Sequence, residues 1–257
     1  MSLSGRVALV TGGSRGIGRA TALALAEDGA DIAVNYRRDA EAAAEVVAEI
    51  EKLGRRALAV QASVDSAEDD ERMVAQVLDA FGFVDILVNN AGIASRGRFV
   101  AETDPAELHR VIATHALGSH HVSRLVLPSM RTRERGDIVM ISSVATLGMA
   151  AGGAPYNMAK AAVEALALTL SHEEQPNGIR VNIVAPGLVE TEMGRRLVKG
   201  VTGLDDIGRL AAASPFGRVC QPEDVANTVR FLVSDQAGYI SGQKINVHGG
   251  GSAASGF

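Results

Sequence analysis

Short apolar runs of strand length alternate along this chain with longer stretches in which apolar positions recur at helical spacing. The runs Val7–Val10, Asp31–Tyr36, Ala57–Gln61, Ile86–Asn89, Ile138–Ile141, Arg180–Val184 and Lys244–Val247 predict strands. Helical spacing predicts helices over 16–28, 39–53, 67–81, 104–130, 155–175 and 222–234. Asp104-Pro105, with Glu107 at the third helical position, and Gln221-Pro222-Glu223-Asp224 read as helix starts. Gly29 and Gly54 stand where helices stop. The alternation predicts an α/β fold, a doubly wound seven-stranded parallel sheet with helices on both faces. No Pro- or Ser-rich linker, repeat or low-complexity segment interrupts it, so residues 1–257 are expected to form one domain. The stretch Gly187–Gly217 breaks the rhythm with Gly194, Gly200, Gly203 and Gly208, and is expected to form a lid. The tail Gly249–Phe257 is expected to be surface or interface chain.

Composition narrows the class. Hydrophobic residues make up 47% of the 257 positions and charged residues 21%, as in a packed protein rather than a disordered one. No segment approaches the roughly 18 uncharged apolar residues that a membrane span needs. The start, Met1-Ser2-Leu3-Ser4-Gly5-Arg6, runs directly into the first strand pattern and leaves no room for a signal peptide. Cys220 is the single cysteine, so no intramolecular disulfide forms. A net charge of -5 argues against nucleic acid as the main partner. Together these features predict a cytoplasmic α/β enzyme or binding protein.

The first strand runs into Thr11-Gly12-Gly13-Ser14-Arg15-Gly16-Ile17-Gly18, and a helix starts at once. A turn of this kind needs residues without a Cβ where the backbone nears a pyrophosphate, and the helix N-terminus offers N–H groups to that anion. The spacing is Gly-x-x-x-Gly-x-Gly. Further along come Asn89-Asn90-Ala91-Gly92 after the fourth strand, Ser143 after the fifth, Tyr156-x-x-x-Lys160, and Pro186-Gly187. With these pieces in order from about residue 3 to residue 250, the chain resembles the short-chain dehydrogenase/reductase superfamily, a Rossmann-type fold. The resemblance implies a nicotinamide cofactor held by Thr11, Gly12, Ser14, Arg15, Gly16, Ile17 and Gly18. It extends that set to Asn89, Ala91 and Gly92 beside the adenosine ribose, and to Pro186, Gly187, Val189 and Thr191 around the nicotinamide.

The second strand ends Val34-Asn35-Tyr36-Arg37-Arg38-Asp39, with arginine rather than a carboxylate first. A carboxylate there would accept the ribose hydroxyls of NAD, whereas Arg37 with Arg15 makes forked bonds to a 2′-phosphate. NADP(H) is therefore the expected cofactor, with NAD(H) second. Ser63 stands where the superfamily often has an adenine-contacting aspartate, and Val64 is left to pack on the ring.

Tyr156 and Lys160 share one face of a predicted helix, a turn apart. A free tyrosine titrates near pH ~10, too high for proton exchange at neutral pH. A neighbouring lysine cation and a positive nicotinamide ring favour the phenolate and are expected to lower that value. The resemblance implies that Ser143 holds the substrate oxygen, Tyr156 supplies the proton and Lys160 also binds the nicotinamide ribose. One departure stands out: His115 occupies the position of an asparagine that helps to hold a water relay to the lysine. An imidazole that titrates near neutral pH would preserve the relay. The alternative is a weak or inactive NADP-binding regulatory paralogue.

His120-His121 are adjacent on a helix and diverge, so no metal site is predicted. His172 is read as a solvated position, His248 as a changed interface contact, and Cys220 as packing. The helix at 155–175 is apolar nearly all round from Met158 to Leu170, which predicts burial on a second side and a homotetramer. Ala145–Ala154 and Leu188–Val201 are expected to wall the pocket, and their small apolar residues suit an aliphatic carbonyl or alcohol substrate. The resemblance is nearest to 3-oxoacyl-[acyl-carrier-protein] reductases. An acidic carrier protein would need a basic rim, for which Arg131, Arg133, Arg135, Arg195, Arg196 and Lys199 are the candidates, interrupted by Glu134 and Glu173-Glu174.

Overall fold

The computed structural model describes residues 2–203 and 206–250. Seven parallel strands form one sheet in the order β3-β2-β1-β4-β5-β6-β7. They are β1 (Val7–Val10), β2 (Asp31–Tyr36), β3 (Ala57–Gln61), β4 (Ile86–Asn89), β5 (Gly136–Ile141), β6 (Ile179–Pro186) and β7 (Lys244–Val247). The helices are α1 (Gly16–Glu27), α2 (Ala40–Lys52), α3 (Ala67–Phe81), α4 (Pro105–Ile112), α5 (Gly118–Met130), α6 (Ala145–Gly148), α7 (Ala154–Glu173), α8 (Glu192–Thr202) and α9 (Pro222–Leu232).

The doubly wound expectation holds, and the strand pleat explains it. Ala8 and Val10 of β1 join a core with Ile32 and Val34 of β2, covered by α1, α2 and α9. Val7 and Leu9 point the other way, into a core with Met73 and Val77 of α3, Val126 of α5 and Val163 of α7. Both faces of each central strand are buried, so these strands read as continuous apolar runs rather than alternating ones. The strand order reverses at β1, with β2 on one side and β4 on the other. The loops leaving β1 and β4 therefore part and open a crevice at the carboxyl ends of the strands.

Helix starts and stops follow local chemistry. Asp39, Ser66 and Asp104 cap α2, α3 and α4 by accepting from Ala42 N, Asp69 N and Ala106 N. Glu107 differs from its expected capping role: its buried carboxylate accepts from Arg96 N at 2.6 Å. The predicted helix 104–130 is also broken, because a π turn over Ala113–Leu117 separates α4 from α5. Just past the turn, α5 lies so close to the loop after β3 that a Cβ on Gly118 would sit 2.3 Å from Val64 O.

The stretch Gly187–Gly217, expected to form a lid, holds helix α8 followed by 3-10 turns over Ile207–Ala213 and Pro215–Gly217. Val198, Ile207 and Val219 pack there with Leu188 and Leu210 as a cluster separate from both sheet cores. Within this stretch residues 204–205, and within the C-terminal tail residues 251–257, lie outside the described residues.

Candidate active site

The glycine turn is stitched to the loop after β4. Thr11 Oγ1 accepts from Asn90 N at 2.9 Å and from Ala91 N at 3.0 Å. The Asn90 side chain donates to Thr11 O at 2.8 Å and Gly12 O at 3.1 Å. Asn35 Oδ1 accepts from Gly12 N at 3.0 Å, while its amide reaches Ala62 O at 3.1 Å. The turn is thereby fixed from β2, β3 and β4 at once. A Cβ on Gly18 would lie 2.2 Å from Gly12 O and 2.5 Å from Asn90 Nδ2, so only glycine fits. Arg15 precedes α1 without capping it by its side chain, which leaves the first N–H groups of the helix for an anion. Ser14 and Ile17 lie in the same turn, buried and half-buried. This cradle fits a dinucleotide pyrophosphate.

Asn90 belongs to the Asn89-Asn90-Ala91-Gly92 motif, whereas Asn35 was not among the expected site residues. A polar residue buried in an otherwise apolar strand, as Asn35 is, was the available signal. Asn89, which was expected there, turns away: its amide donates to Ser123 Oγ at 3.1 Å and contacts Met140 Sδ at 3.3 Å in the core below. Val189 likewise packs into the α9-side core. Thr191 caps α8 by accepting from Gly194 N, and a Cβ on Gly16 would meet its methyl at 3.2 Å, so the glycine turn and the start of α8 are in near contact. Pro186 O accepts from Val144 N at 3.0 Å and Val247 O from Gly187 N at 3.0 Å, fixing both flanks of the crevice floor.

At the end of β2, the Asp39 carboxylate is committed to capping α2, and Arg37 is exposed. Arg15 makes an exposed ion pair with Glu192 of α8 at 2.7 Å. The Ser63 hydroxyl is engaged by Asp65, and its backbone N–H donates to Asp69, while Val64 is buried against Gly118.

Across the crevice, Ser143 follows β5, and Tyr156 and Lys160 lie on the first turns of α7. The Ser143 hydroxyl lies near enough to Tyr156 to favour its phenolate. Lys160 Nζ donates to Ile141 O at 2.7 Å and lies 5.6 Å from the Tyr156 ring centroid. The three expected residues are brought together. The expected fall in the Tyr156 pKa is not what the polypeptide alone produces. Burial raises it, opposed by the nearby Ser143 hydroxyl. Burial also brings Lys160 down to about 7, opposed by the charge of Glu164.

His115 lies on the π turn with its ring edge-on to Tyr156, centroids 5.4 Å apart. Its Nε2 is 2.8 Å from Ile93 O and 3.1 Å from Ile93 N, so either tautomer is anchored there, and Nδ1 is buried without a hydrogen-bond partner among the described residues. Burial, and next the charge of Lys160, lower its pKa to about 3. The ring is neutral at physiological pH, which corrects the expectation that it titrates near neutrality. A Cβ on Gly92 would lie 2.5 Å from His115 Cε1, so this imidazole itself requires glycine at that position.

Elsewhere, His120 and His121 stack edge to face at 5.9 Å, and His121 Nδ1 is 3.7 Å from the buried Asp70 carboxylate, a pairing across α3 and α5 that spacing did not show. His248 Nδ1 accepts from Gly250 N. Burial pushes the Cys220 thiol up to about 12, which suits packing. Of the proposed basic rim, the three arginines before β5 do not line the crevice. Arg131 pairs with Glu174, Arg133 with Asp85, and Arg135 with Asp137 and Asp235, around the amino-terminal end of β5 and away from the crevice. Arg196 pairs with Glu192.

A family profile described as enoyl-(acyl carrier protein) reductase matches residues 12–252. A 3-oxoacyl-[acyl-carrier-protein] reductase of Synechocystis sp. is 40% identical over 250 residues, which is 97% of this chain and 98% of the relative. The fold matches a 7 alpha-hydroxysteroid dehydrogenase complexed with NADH and 7-oxo glycochenodeoxycholic acid, with TM-score 0.90 and 32% identity over 98% of this chain and 96% of that one. It also matches a short-chain dehydrogenase of Burkholderia cenocepacia in complex with NADP, with TM-score 0.88 and 37% identity over 97% of this chain and 99% of that one.

Proposed function

The chain belongs to the short-chain dehydrogenase/reductase superfamily and is an oxidoreductase acting on CH–OH and C=O groups; from that premise we propose that it reduces an aliphatic ketone with NADP(H), Tyr156 being the proton donor. The carrying observation is the gathering of Ser143, Tyr156 and Lys160, with Lys160 Nζ 5.6 Å from the Tyr156 ring, across the crevice from the uncapped N-terminus of α1. A bound nicotinamide supplies the hydride. Ser143 holds the substrate oxygen against the Tyr156 hydroxyl, which gives that oxygen its proton as the secondary alcohol forms. Lys160, held by Ile141 O, presents its ammonium group to the phenolate so produced.

Support for NADP(H) comes from Arg37 and Arg15 together with the commitment of Asp39 to a helix cap. Replacing both arginines by alanine is expected to raise the dissociation constant for NADPH roughly 10- to 100-fold, two charge-assisted bonds being lost. The NADH constant is expected to stay within about threefold. Fluorescence titration with both cofactors measures this, and equal losses would overturn the assignment.

Support for an aliphatic substrate comes from Leu147 and Met149 on one wall and Met193 and Leu197 on α8, all exposed. A 3-oxoacyl thioester is one such substrate, and other ketones are the alternative. Residues 187–217 serve as the lid on a single catalytic domain, in keeping with the separate apolar cluster of that stretch. Met158 and Leu168 are exposed on α7, which suits a homotetramer assembled through that helix. With the arginines before β5 already paired, a carrier-protein contact would fall to α8. A cytoplasmic location accords with the fact that no helix among the described residues is long and apolar enough to cross a membrane.

The deciding experiment follows NADPH and NADH absorbance with acetoacetyl thioester and a ketone panel. NADPH-dependent turnover of an aliphatic 3-oxo compound is expected. NADPH binding with no turnover of any compound would favour the regulatory paralogue instead.

A further inference from the structure

One turn beyond Lys160 on α7, Glu164 makes a cluster of contacts that the proposed chemistry does not use. Its Oε1 accepts from Ser142 Oγ at 2.6 Å and Thr146 Oγ1 at 2.8 Å, and lies 2.8 Å from Lys244 Nζ of β7. Lys244 Nζ also donates to Thr146 Oγ1 at 2.6 Å, and Thr146 Oγ1 lies 2.9 Å from Ser143 O. Ser142 is buried, and Glu164 and Lys244 are each mostly covered. The residues on either side of Ser143 are thus tied to α7, the helix that carries Tyr156 and Lys160. Ser143 and Tyr156 come from different elements, and their placement side by side needs such a tie.

Resting on the function proposed above, we infer that Glu164 is a positioning residue which fastens the Ser143 turn to α7, its carboxylate held among Ser142, Thr146 and Lys244 one helical turn from Lys160. The charged and titratable groups around Lys160 are few. Tyr156 and Glu164 face it from α7 and His115 from the π turn, while Lys244 answers Glu164 from β7. On β5 and β6, Asp137 and Arg180 pair with each other at the opposite end of the sheet. Buried as it is, Lys160 is drawn toward the neutral amine, and Glu164 opposes this.

The signs follow directly. Glu164→Gln keeps the hydrogen-bonding shape but removes the negative charge, so Lys160 loses its proton at lower pH. Lys244→Met leaves Glu164 less neutralised, so Lys160 keeps its proton to higher pH. In the pH profile of ketone reduction, the alkaline midpoint is expected to fall by about one unit in Glu164→Gln and to rise in Lys244→Met. Glu164→Asp is expected to restore most of the wild-type midpoint, and Glu164→Ala to lower kcat about tenfold with NADPH affinity retained. A purely structural tie would slow these variants without moving the midpoint. The Lys160 Cε resonance, assigned with Lys160→Met and titrated by NMR, reads the same shift without turnover. A Glu164→Gln midpoint and resonance that titrate as in wild type would overturn the inference. Tyr156→Phe, run alongside, keeps the two ideas apart: full activity there would sink the proposed chemistry, whereas its loss beside an unmoved Glu164→Gln midpoint would sink only the role of Glu164.

Discussion

Tyr156→Phe is expected to lower kcat for ketone reduction by roughly 10²- to 10⁴-fold, the usual worth of a positioned proton donor. The substitution removes one oxygen and leaves the ring. Its edge contact with His115 and its place over Lys160 Nζ are both made by ring atoms, so the packing of α7 against the π turn is retained. What disappears is the hydroxyl beside Ser143. NADPH affinity is therefore expected to stay within about threefold, because neither the glycine turn nor the N-terminus of α1 is touched. Stopped-flow turnover beside a binding titration separates the two effects. A phenylalanine variant retaining most of its kcat would remove Tyr156 from the chemistry and pass the proton donor role to Ser143 or a water.

The strands were the most legible part of this chain, and for a physical reason. Parallel strands covered on both faces must be apolar throughout, so β1, β2 and β4 begin and end at the expected residues, as the edge strands β3 and β7 also do. The exceptions are instructive. β5 begins at Gly136, because Asp137 reads as loop until its buried ion pairs are seen. The π turn within 104–130 was invisible because it contains neither proline nor glycine to punctuate it. Its position answers to a distant contact, the approach of Gly118 to Val64 O.

The site divides along the same line. Tyr156 and Lys160 sit on α7 at readable spacing and Ser143 just past the end of β5, and their geometry followed from the fold. The properties that sequence did not reveal depend on partners far along the chain. Arg131, Arg133 and Arg135 looked like a basic rim, yet Glu174, Asp85 and Asp137 already claim them. His115 looked like a titrating relay, but the interior that accepts its ring also keeps it neutral. Glu164 carried no motif at all, since Ser142, Thr146 and Lys244 reach it from β5, α6 and β7.

Asp137→Ala is expected to be the most destabilising single change at the other end of the molecule. Asp137 is 2% exposed and pairs with Arg6 at 2.7 Å, Arg180 at 2.6 Å and Arg135 at 3.0 Å. Arg135 has Asp235 in reserve, and Arg6 reaches the carbonyls of Val233 and Asp85. Arg180 has no other carboxylate among the described residues, and burial already works against its charge. Truncating one member of a buried pair strands the other, at a cost of about 3–5 kcal/mol. In a chain of this size that lowers the melting temperature by about 10 °C. Asp137→Asn, which keeps the oxygen but not the charge, should fall between alanine and wild type. Added salt should change the wild-type melting temperature little, because these groups lie beneath the reach of counterions. Turnover per folded molecule should be unchanged, since Ser143 stands about 20 Å away at the far end of the same strand. An unchanged melting temperature in Asp137→Ala would show that the carbonyls which Arg6 and Arg180 already reach suffice to hold these guanidinium groups. A fall in turnover without loss of fold would show that β5 transmits strain along its length, linking the ion cluster at one end to the proton donor at the other.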